Sequence, residues 1–196
     1  MEHLVESIIR LDHDLFFIIN GAHCPLLDPV MKTFSNIPVW IPLYLLITGG
    51  LFVILPWKKA LIALAGILLT FLLTDQVSSS LIKEWVQRVR PCHVPQWEDS
   101  IRLLEGKGGL YSFVSSHAAN VFGLATFTGL VYRKKWYTTF IFIWAFLVSY
   151  SRIYVGKHFP ADVVCGALAG MLLGWIVYRI YLFVIIKMEK HALFNR

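Results

Sequence analysis

The sequence predicts an all-α fold, a polytopic bundle of five or six transmembrane helices that follows an amphipathic N-terminal helix. Of the 196 residues, 57% are hydrophobic and only 15% are charged, whereas soluble domains are about 45–50% apolar. The mean hydropathy is +0.64. A helix needs about 20 residues to cross a bilayer, so six spans would use roughly 120 residues. The composition excludes a soluble globule and a disordered chain, and we expect residues 1–196 to form a single integral-membrane domain.

Hydrophobic periodicity divides the chain into an interfacial helix and a series of spans. Residues 4–20 place apolar side chains at helical spacing around charged ones (Glu6, Arg10, Asp12 and Asp14), which indicates an amphipathic helix lying in the membrane interface. Residues 21–37 are of mixed polarity and fit either an irregular first span or a re-entrant segment. Clear spans follow at about 38–56, 60–82, 113–132, 136–154 and 161–186. The acidic N-terminus lacks a small-residue cleavage site, so no removable signal peptide is expected.

Basic residues in the loops predict the orientation in the membrane. Three basic groups fall on one side of the bundle, at 58–59, 133–135 and 179–196, and the positive-inside rule makes that side cytoplasmic. The loop 83–112 and the turn 155–160 then share the extracytoplasmic face. That loop carries basic residues against the rule: Lys83, Arg88, Arg90, Arg102 and Lys107. We expect them to bind an anionic group or to contact anionic headgroups, so the net charge of +6 does not predict nucleic-acid binding.

A first polar cluster ends the second of these spans and reads KEWVQRVRP over residues 83–91. Lys83, Gln87 and Arg90 are three or four residues apart, so a helix that continued to Pro91 would place them on one side. A lysine and an arginine aimed together suit an oxyanion, which arginine binds with its planar fork and lysine as a point charge.

A second cluster, Ser115, Ser116 and His117, opens the span 113–132 after a glycine-rich stretch. Hydroxyls and free backbone N–H groups at a helix N-terminus form an anion site. His117 can donate or accept a proton beside that site.

A third cluster occupies residues 151–162. Pro160 suits the first turn of a helix, so His158 can contact Asp162 one turn further on. An aspartate bonded to one imidazole nitrogen makes the other nitrogen a better base or nucleophile. Arg152 would face the same anion, and a structural salt bridge between Arg152 and Asp162 is the alternative.

Together the clusters read K-x6-R-P, S-x-H and S-R-x5-H-x3-D, in that order, each at an extracytoplasmic helix end. This pattern resembles the type 2 phosphatidic acid phosphatase (PAP2) superfamily, which includes bacterial lipid phosphatases and, more distantly, glucose-6-phosphatase and vanadium haloperoxidases. The resemblance runs from about Leu61 to Ile186.

The resemblance implies a metal-independent phosphatase without a cofactor that works through a phosphohistidine. His158 would be the nucleophile, Asp162 would orient it, and His117 would protonate the leaving group and later activate water. Cationic side chains would supply the charge that a metal ion provides elsewhere. The residues implied to bind the phosphoryl group are Lys83, Arg90, Ser115, Ser116 and Arg152, with Ser116 contributing its backbone N–H.

The second cluster departs from the usual family pattern P-S-G-H, because Val114 replaces the proline and Ser116 the glycine. Glycine lets the backbone approach a phosphate without a Cβ. Ser116 therefore either still aims its backbone N–H at the phosphate or narrows the pocket.

Other features are interpreted as structural. Gly166, Gly170 and Gly174 form a small-residue stripe that predicts a close helix contact. Asp75 either braces the site or bonds to a neighbouring helix. The three cysteines fit neither a disulfide framework nor a zinc pattern, and at most one bridge is expected, between Cys24 and Cys92.

A site at helix ends in the interface indicates a membrane lipid phosphate as the substrate. Undecaprenyl diphosphate, lipid A, phosphatidylglycerophosphate and phosphatidic acid are all compatible with the resemblance, and the long basic loop favours the first two. The expected location is the bacterial inner (cytoplasmic) membrane, with the site on the extracytoplasmic, periplasmic side. The alternatives are a non-enzymatic lipid or anion carrier using the same basic pocket, which would usually show inverted repeats, and a haloperoxidase-like vanadate site. The oligomeric state is not predicted.

Overall fold

The computed structural model describes residues 2–194, and the side chains of residues 3–191. This part of the chain is helical and forms no β-strand, although an isolated bridge pairs Val89 with Tyr111. The helices are α1 (Glu2–Gly21), α2 (Leu27–Ser35), α3 (Ile41–Ile54), α4 (Trp57–Asp75), α5 (Lys83–Val86), α6 (Ser116–Tyr132), α7 (Lys135–Tyr154) and α8 (Pro160–Phe194). A π-helical segment, Gln76–Ile82, joins α4 to α5, and 3₁₀ turns lie at Ile37–Trp40, Pro91–His93 and Pro95–Trp97. The predicted all-α class is confirmed.

Helix α1 packs on the bundle through a narrow stripe. Asp12, Phe16 and Asn20, spaced one turn apart, are buried, whereas apolar side chains such as Ile8 and Ile18 are exposed. Exposed apolar side chains suit a helix that contacts lipid. The sequence pattern places Asp12 among the charged residues of an amphipathic helix. In the folded protein, however, the Asp12 carboxylate is buried against the bundle.

The segment 21–37, which the sequence left open, contains the nine-residue helix α2 packed against α7. At 1.5 Å per residue, α2 is about 14 Å long, which is too short to cross about 30 Å of hydrocarbon. The hydroxyl of Tyr154 donates a 2.8 Å hydrogen bond to Asp28, which fixes α2 to the end of α7. The short helix favours a segment that does not span.

Three segments of the described chain are long and apolar enough to cross a membrane: Ile37–Ile54, Trp57–Val86 and Pro160–His191. Helices α6 and α7, with 17 and 20 residues, pack against α8. The core lies between α3, α4, α6, α7 and α8, where Phe127 and Ile141 are fully buried. The protein is therefore a multi-pass bundle, and the count of five or six spans stays a prediction.

Helices α6 and α8 share the most extensive contact in the bundle, and glycines allow it. A Cβ atom at Gly166 would lie 2.5 Å from the carbonyl oxygen of Ser115, and one at Gly174 would lie 2.5 Å from that of Gly123. Gly170 faces α6 in the same way. The close helix contact predicted from the glycine stripe is confirmed, and it brings the N-terminus of α6 beside the first turns of α8.

Candidate active site

His158 lies in the turn between α7 and α8. Gly156 adopts a φ of +85° in this turn, a backbone conformation that favours glycine. The backbone N–H groups of Lys157 and His158 donate to the carbonyl oxygen of Arg152, at 3.1 and 3.2 Å. These bonds close the end of α7 and leave the His158 side chain buried.

The expected contact between His158 and Asp162 is present. The Nδ1 atom of His158 lies 3.5 Å from Oδ2 of Asp162, a residue in the first turn of α8. Asp162 is fully buried, and its Oδ2 atom accepts a 2.9 Å hydrogen bond from the backbone N–H of Phe159. A proton on Nδ1 would leave the lone pair of Nε2 free, and Nε2 is then the atom that can attack a phosphorus.

The pKa of His158 is held well below its usual value, first by burial and then by nearby positive charges. These charges belong to Arg90, Arg152, Lys83 and Lys157. The imidazole is therefore neutral at pH 7, which is the protonation state in which a histidine can act as a nucleophile. All four cations are close enough to the imidazole for their charges to lower its pKa, and a group of cations around one buried histidine favours the binding of an anion.

Arg90, one of these four cations, lies in an extended segment of the backbone and not in a helix. The sequence predicted one helical side for Lys83, Gln87 and Arg90, and this prediction is wrong, because α5 ends at Val86 and Gln87 is left-handed with φ of 52°. The backbone N–H of Arg90 donates to Leu110 at 3.0 Å. A residue before proline disfavours the α conformation, which explains why the helix does not continue to Pro91. Burial lowers the pKa of Arg90.

The second cluster is built as expected at the start of α6, but its hydroxyls have other partners. Ser115 is the N-cap, and its buried hydroxyl accepts from the backbone N–H of Ala118 at 3.5 Å. Its own N–H donates to the Asp162 carbonyl oxygen at 2.9 Å. Ser115 thus joins α6 to α8, while His117 lies near enough to Arg152 for the charge of the guanidinium group to act on it.

Ser116 adds a contact that a glycine could not make. Its hydroxyl accepts a 2.8 Å hydrogen bond from the ammonium group of Lys83 and lies 2.9 Å from the hydroxyl of Ser79 in the π-helical segment. Ser79 donates in turn to Asp75 at 3.2 Å. The hydroxyls of Ser79 and Ser116 thus connect Asp75 to Lys83. Segments of π-helix recur at functional sites.

Arg152 is buried at the end of α7 and is paired with Glu105, not with Asp162. Its Nη1 atom donates to Ser35 and, at 3.3 Å, to Glu105, which also lies 2.8 Å from the ammonium of Lys157. Burial raises the pKa of Glu105, but hydrogen bonds from Lys157 and Ser35 and the charge of Arg152 outweigh it and hold that pKa below its usual value. The simple salt bridge considered as an alternative from the sequence is not formed.

Sequence reasoning missed three ionic residues of this region: Asp12, Arg88 and Glu105. Arg88 was noted only as a basic loop residue, although its place two positions before Arg90 was a usable signal. Asp12 lies far from the motifs in sequence, Glu105 lies in the loop between the first two clusters, and no local pattern marks either residue. The three cysteines, including Cys24 and Cys92, are free.

Comparison with known proteins identifies the family. The model of the PAP2 superfamily matches residues 60–185. The lipid A 4'-phosphatase of Porphyromonas gingivalis is 38% identical over 180 residues, which cover 91% of this chain and 76% of that protein. The lipid A 4'-phosphatase of Bacteroides thetaiotaomicron is 38% identical over 179 residues, covering 90% and 80%.

A solved structure agrees with this result. The transmembrane PAP2 type phosphatidylglycerolphosphate phosphatase from Bacillus subtilis matches with a TM-score of 0.69 and 26% identity, covering 89% of this chain and 86% of that one. Fold and similarity together define a multi-pass membrane enzyme that removes phosphate from lipids. The chain belongs to the PAP2 superfamily. The similarity to named phosphatases favours this enzyme over the carrier that the sequence left open.

Proposed function

We propose that this phosphatase hydrolyses a phosphate of a lipid A-type glycolipid through a phosphohistidine at His158, on the extracytoplasmic face of the bacterial inner membrane. The observation that carries the mechanism is the buried pair of His158 and Asp162 within reach of four cationic charges. The lipid A class is supported by 38% identity to two lipid A 4'-phosphatases over about nine tenths of the chain. The positive-inside rule supports the side.

In the first step, Nε2 of His158 attacks the phosphorus and forms a P–N bond. The bond from phosphorus to the lipid oxygen breaks, and His117 donates a proton to that oxygen. The carboxylate of Asp162 accepts a hydrogen bond from the Nδ1–H group and stabilises the positive charge that develops on the imidazole.

In the second step, a water molecule attacks the phosphorus and the P–N bond breaks. His117 accepts a proton from this water, which returns it to its starting state, and inorganic phosphate leaves. Lys83, Arg90 and Arg152 hold the equatorial oxygens while negative charge redistributes over them. These fixed cations supply the charge stabilisation, so the proposed mechanism has no metal ion.

The roles of the two serines differ from those implied by the resemblance. The hydroxyl of Ser115 caps α6, so we propose that Ser115 contributes the helix N-terminus to phosphate binding and not its side chain. We assign Ser116 to the orientation of Lys83.

The test is phosphate release by the detergent-purified protein, with EDTA present, from a panel of lipid A, undecaprenyl diphosphate, phosphatidylglycerophosphate and phosphatidic acid. The variants are His158→Ala and, as a matched control, His191→Ala at the other end of α8. We expect release from lipid A to exceed that from the other lipids, to vanish in His158→Ala and to persist in His191→Ala. Turnover by folded His158→Ala would overturn the mechanism. A preference for another lipid would overturn the substrate class alone.

A further inference from the structure

We propose that Asp12 and Arg88 are positioning residues for the pair of His158 and Asp162, so that α1 completes the active site from outside the family-matched residues 60–185. The proposal rests on the proposed function, because it takes His158 and Asp162 as the catalytic pair. Asp12 in α1 binds Arg88, and Arg88 binds Asp162, the carboxylate beside the proposed nucleophile. We call these three ionic side chains the relay.

Arg88 bridges two carboxylates with the two arms of its guanidinium group. Its Nη1 atom donates to Oδ1 of Asp162 at 2.9 Å, and its Nη2 atom donates to Oδ2 of Asp12 at 2.5 Å. The guanidinium carbon lies 3.8 Å from the centre of the Phe159 ring. A planar fork held by two carboxylates and an aromatic face has a fixed orientation. Lysine could not make this arrangement, because it presents a single point charge.

Asp12 has a second contact that bears on the catalytic pair. Its Oδ1 atom accepts a 2.7 Å hydrogen bond from the backbone N–H of Ala161. Ala161 is the second residue of α8, so Asp12 satisfies one of the N–H groups that a helix N-terminus leaves without an intrahelical partner. A negative charge at this end of a helix is also favourable. One carboxylate thus fixes both Arg88 and the turn of α8 on which Asp162 stands.

The two carboxylate oxygens of Asp162 have different neighbours, and this difference orients the carboxylate toward His158. Arg88 binds Oδ1, while Oδ2 accepts from the backbone N–H of Phe159 and lies 3.5 Å from Nδ1 of His158. Asp162 is fully buried, and a buried carboxylate without a partner is costly. The positive charge of Arg88 opposes the effect of burial, which raises the pKa of Asp162, and so favours the ionised carboxylate. Its hydrogen bond also holds the carboxylate in the rotamer that faces the imidazole, and Asp12 keeps Arg88 in place. Partners of this kind act on the reaction through geometry, without touching the substrate.

Helix α1 offers a matched control for the charge change. Asp14 is exposed, two residues beyond the buried Asp12. Asp14→Asn removes the same charge from the same helix without touching the relay. Asp12→Asn keeps an oxygen that can accept from the Ala161 N–H, so it removes the charge while the contact to α8 can persist.

The experiment measures kcat, KM, inhibition by inorganic phosphate and thermal unfolding of the full chain in detergent. We expect Asp12→Asn and Arg88→Gln to lower kcat about tenfold or more, since small displacements of reacting groups cost up to about 100-fold. KM and phosphate inhibition should change less than about twofold, because the cations that bind the phosphoryl group are untouched. Arg88→Lys should recover only part of the loss.

Coupling between the two residues gives a second readout. The double variant should be no slower than the slower single variant, because both changes break one relay. A merely structural role would lower the unfolding temperature and leave kcat per folded molecule equal to that of Asp14→Asn. That result, or additive losses in the double variant, would overturn the proposal. Turnover by folded His158→Ala would instead reject the proposed function, so the two failures are distinguishable.

Discussion

The ammonium group of Lys83 donates a 2.8 Å hydrogen bond to the hydroxyl of Ser116, where the motif of the superfamily has glycine. Two donors of the ammonium remain for a phosphoryl group. The hydroxyl therefore orients the lysine and does not remove it from the pocket. Because Ser116 opens α6 while Lys83 opens α5, this one bond also sets the distance between two of the elements that form the site.

The first prediction concerns this contact. Ser116→Ala should raise KM about three- to tenfold with a smaller change in kcat, because a hydrogen bond to a charged group contributes about 1.5–3 kcal/mol and water replaces part of it. Steady-state kinetics in detergent measure both constants. Ser80→Ala is the control, since Ser80 is exposed on the same π-helical segment and bonds only along it. An unchanged KM in Ser116→Ala would show that Lys83 needs no such partner.

The second prediction concerns the proton that His117 is proposed to transfer. With a lipid phosphate, His117→Gln should lower kcat about 100-fold or more, within the usual contribution of general acid–base catalysis. A substrate with a good leaving group, such as p-nitrophenyl phosphate, needs no proton in the first step. The variant should then form the phosphohistidine and hydrolyse it slowly, so an acid-labile phosphate label should accumulate on the protein. Labelling of His117→Gln that persists after His158→Ala is added would contradict the assignment of the nucleophile.

The third prediction links the buried nucleophile to pH. Burial, followed by the charges of Arg90 and Arg152, holds the pKa of His158 well below its usual value in the folded protein. An unfolded histidine binds a proton near pH 6.5, so the unfolded state gains protons first as the pH falls. Stability should therefore decline as the pH drops below about 6.5. The separate effect of Glu105, whose pKa is also lowered, appears only in more acidic solution.

Thermal unfolding between pH 8 and pH 5 tests this linkage. His158→Gln should show a weaker decline than the unchanged protein, because glutamine does not titrate. His191→Ala should retain the full decline, since His191 is exposed. Equal slopes for the His158→Gln variant and the unchanged protein would mean that His158 binds its proton equally well in both states.

Much of the fold and of the proposed site could be predicted from the sequence, because both depend on local patterns. Apolar runs of bilayer length give the spans, and Pro160 with Asp162 one turn later gives the contact to His158. The glycine stripe gave the packing of α6 on α8. Each of these signals lies within one continuous stretch of about 20 residues or fewer.

The remainder depends on contacts between segments far apart in sequence. Asp12 and Arg88 are 76 residues apart, and nothing near either residue specifies that α1 turns a carboxylate inward. The early end of α5 at Val86 was missed for a related reason. Backbone hydrogen bonds from Arg90 to Leu110 and from Ser112 to Arg88 compete with a further helical turn, and only the folded chain brings these segments together.

The last prediction separates packing from catalysis along the glycine stripe of α8. Gly174→Ala would place a Cβ atom 2.5 Å from the carbonyl oxygen of Gly123, and backbone cannot yield as a flexible side chain can. Overpacking of this kind costs about 1–3 kcal/mol. Gly174 is about 20 Å along α8 from its first residue, so the variant should unfold at a lower temperature but keep kcat per folded molecule.

Gly166→Ala should lower both stability and kcat, because its Cβ atom would press on Ser115, whose N–H is bonded to Asp162. Gly49→Ala provides the control, since a Cβ at Gly49 in α3 meets nothing within 4 Å. Alanine there should leave stability unchanged or raise it by up to about 1 kcal/mol, the difference in helix propensity. Thermal unfolding and single-substrate kinetics on the three variants measure both effects. Full activity in Gly166→Ala would show that the close approach of α6 to α8 positions no catalytic group.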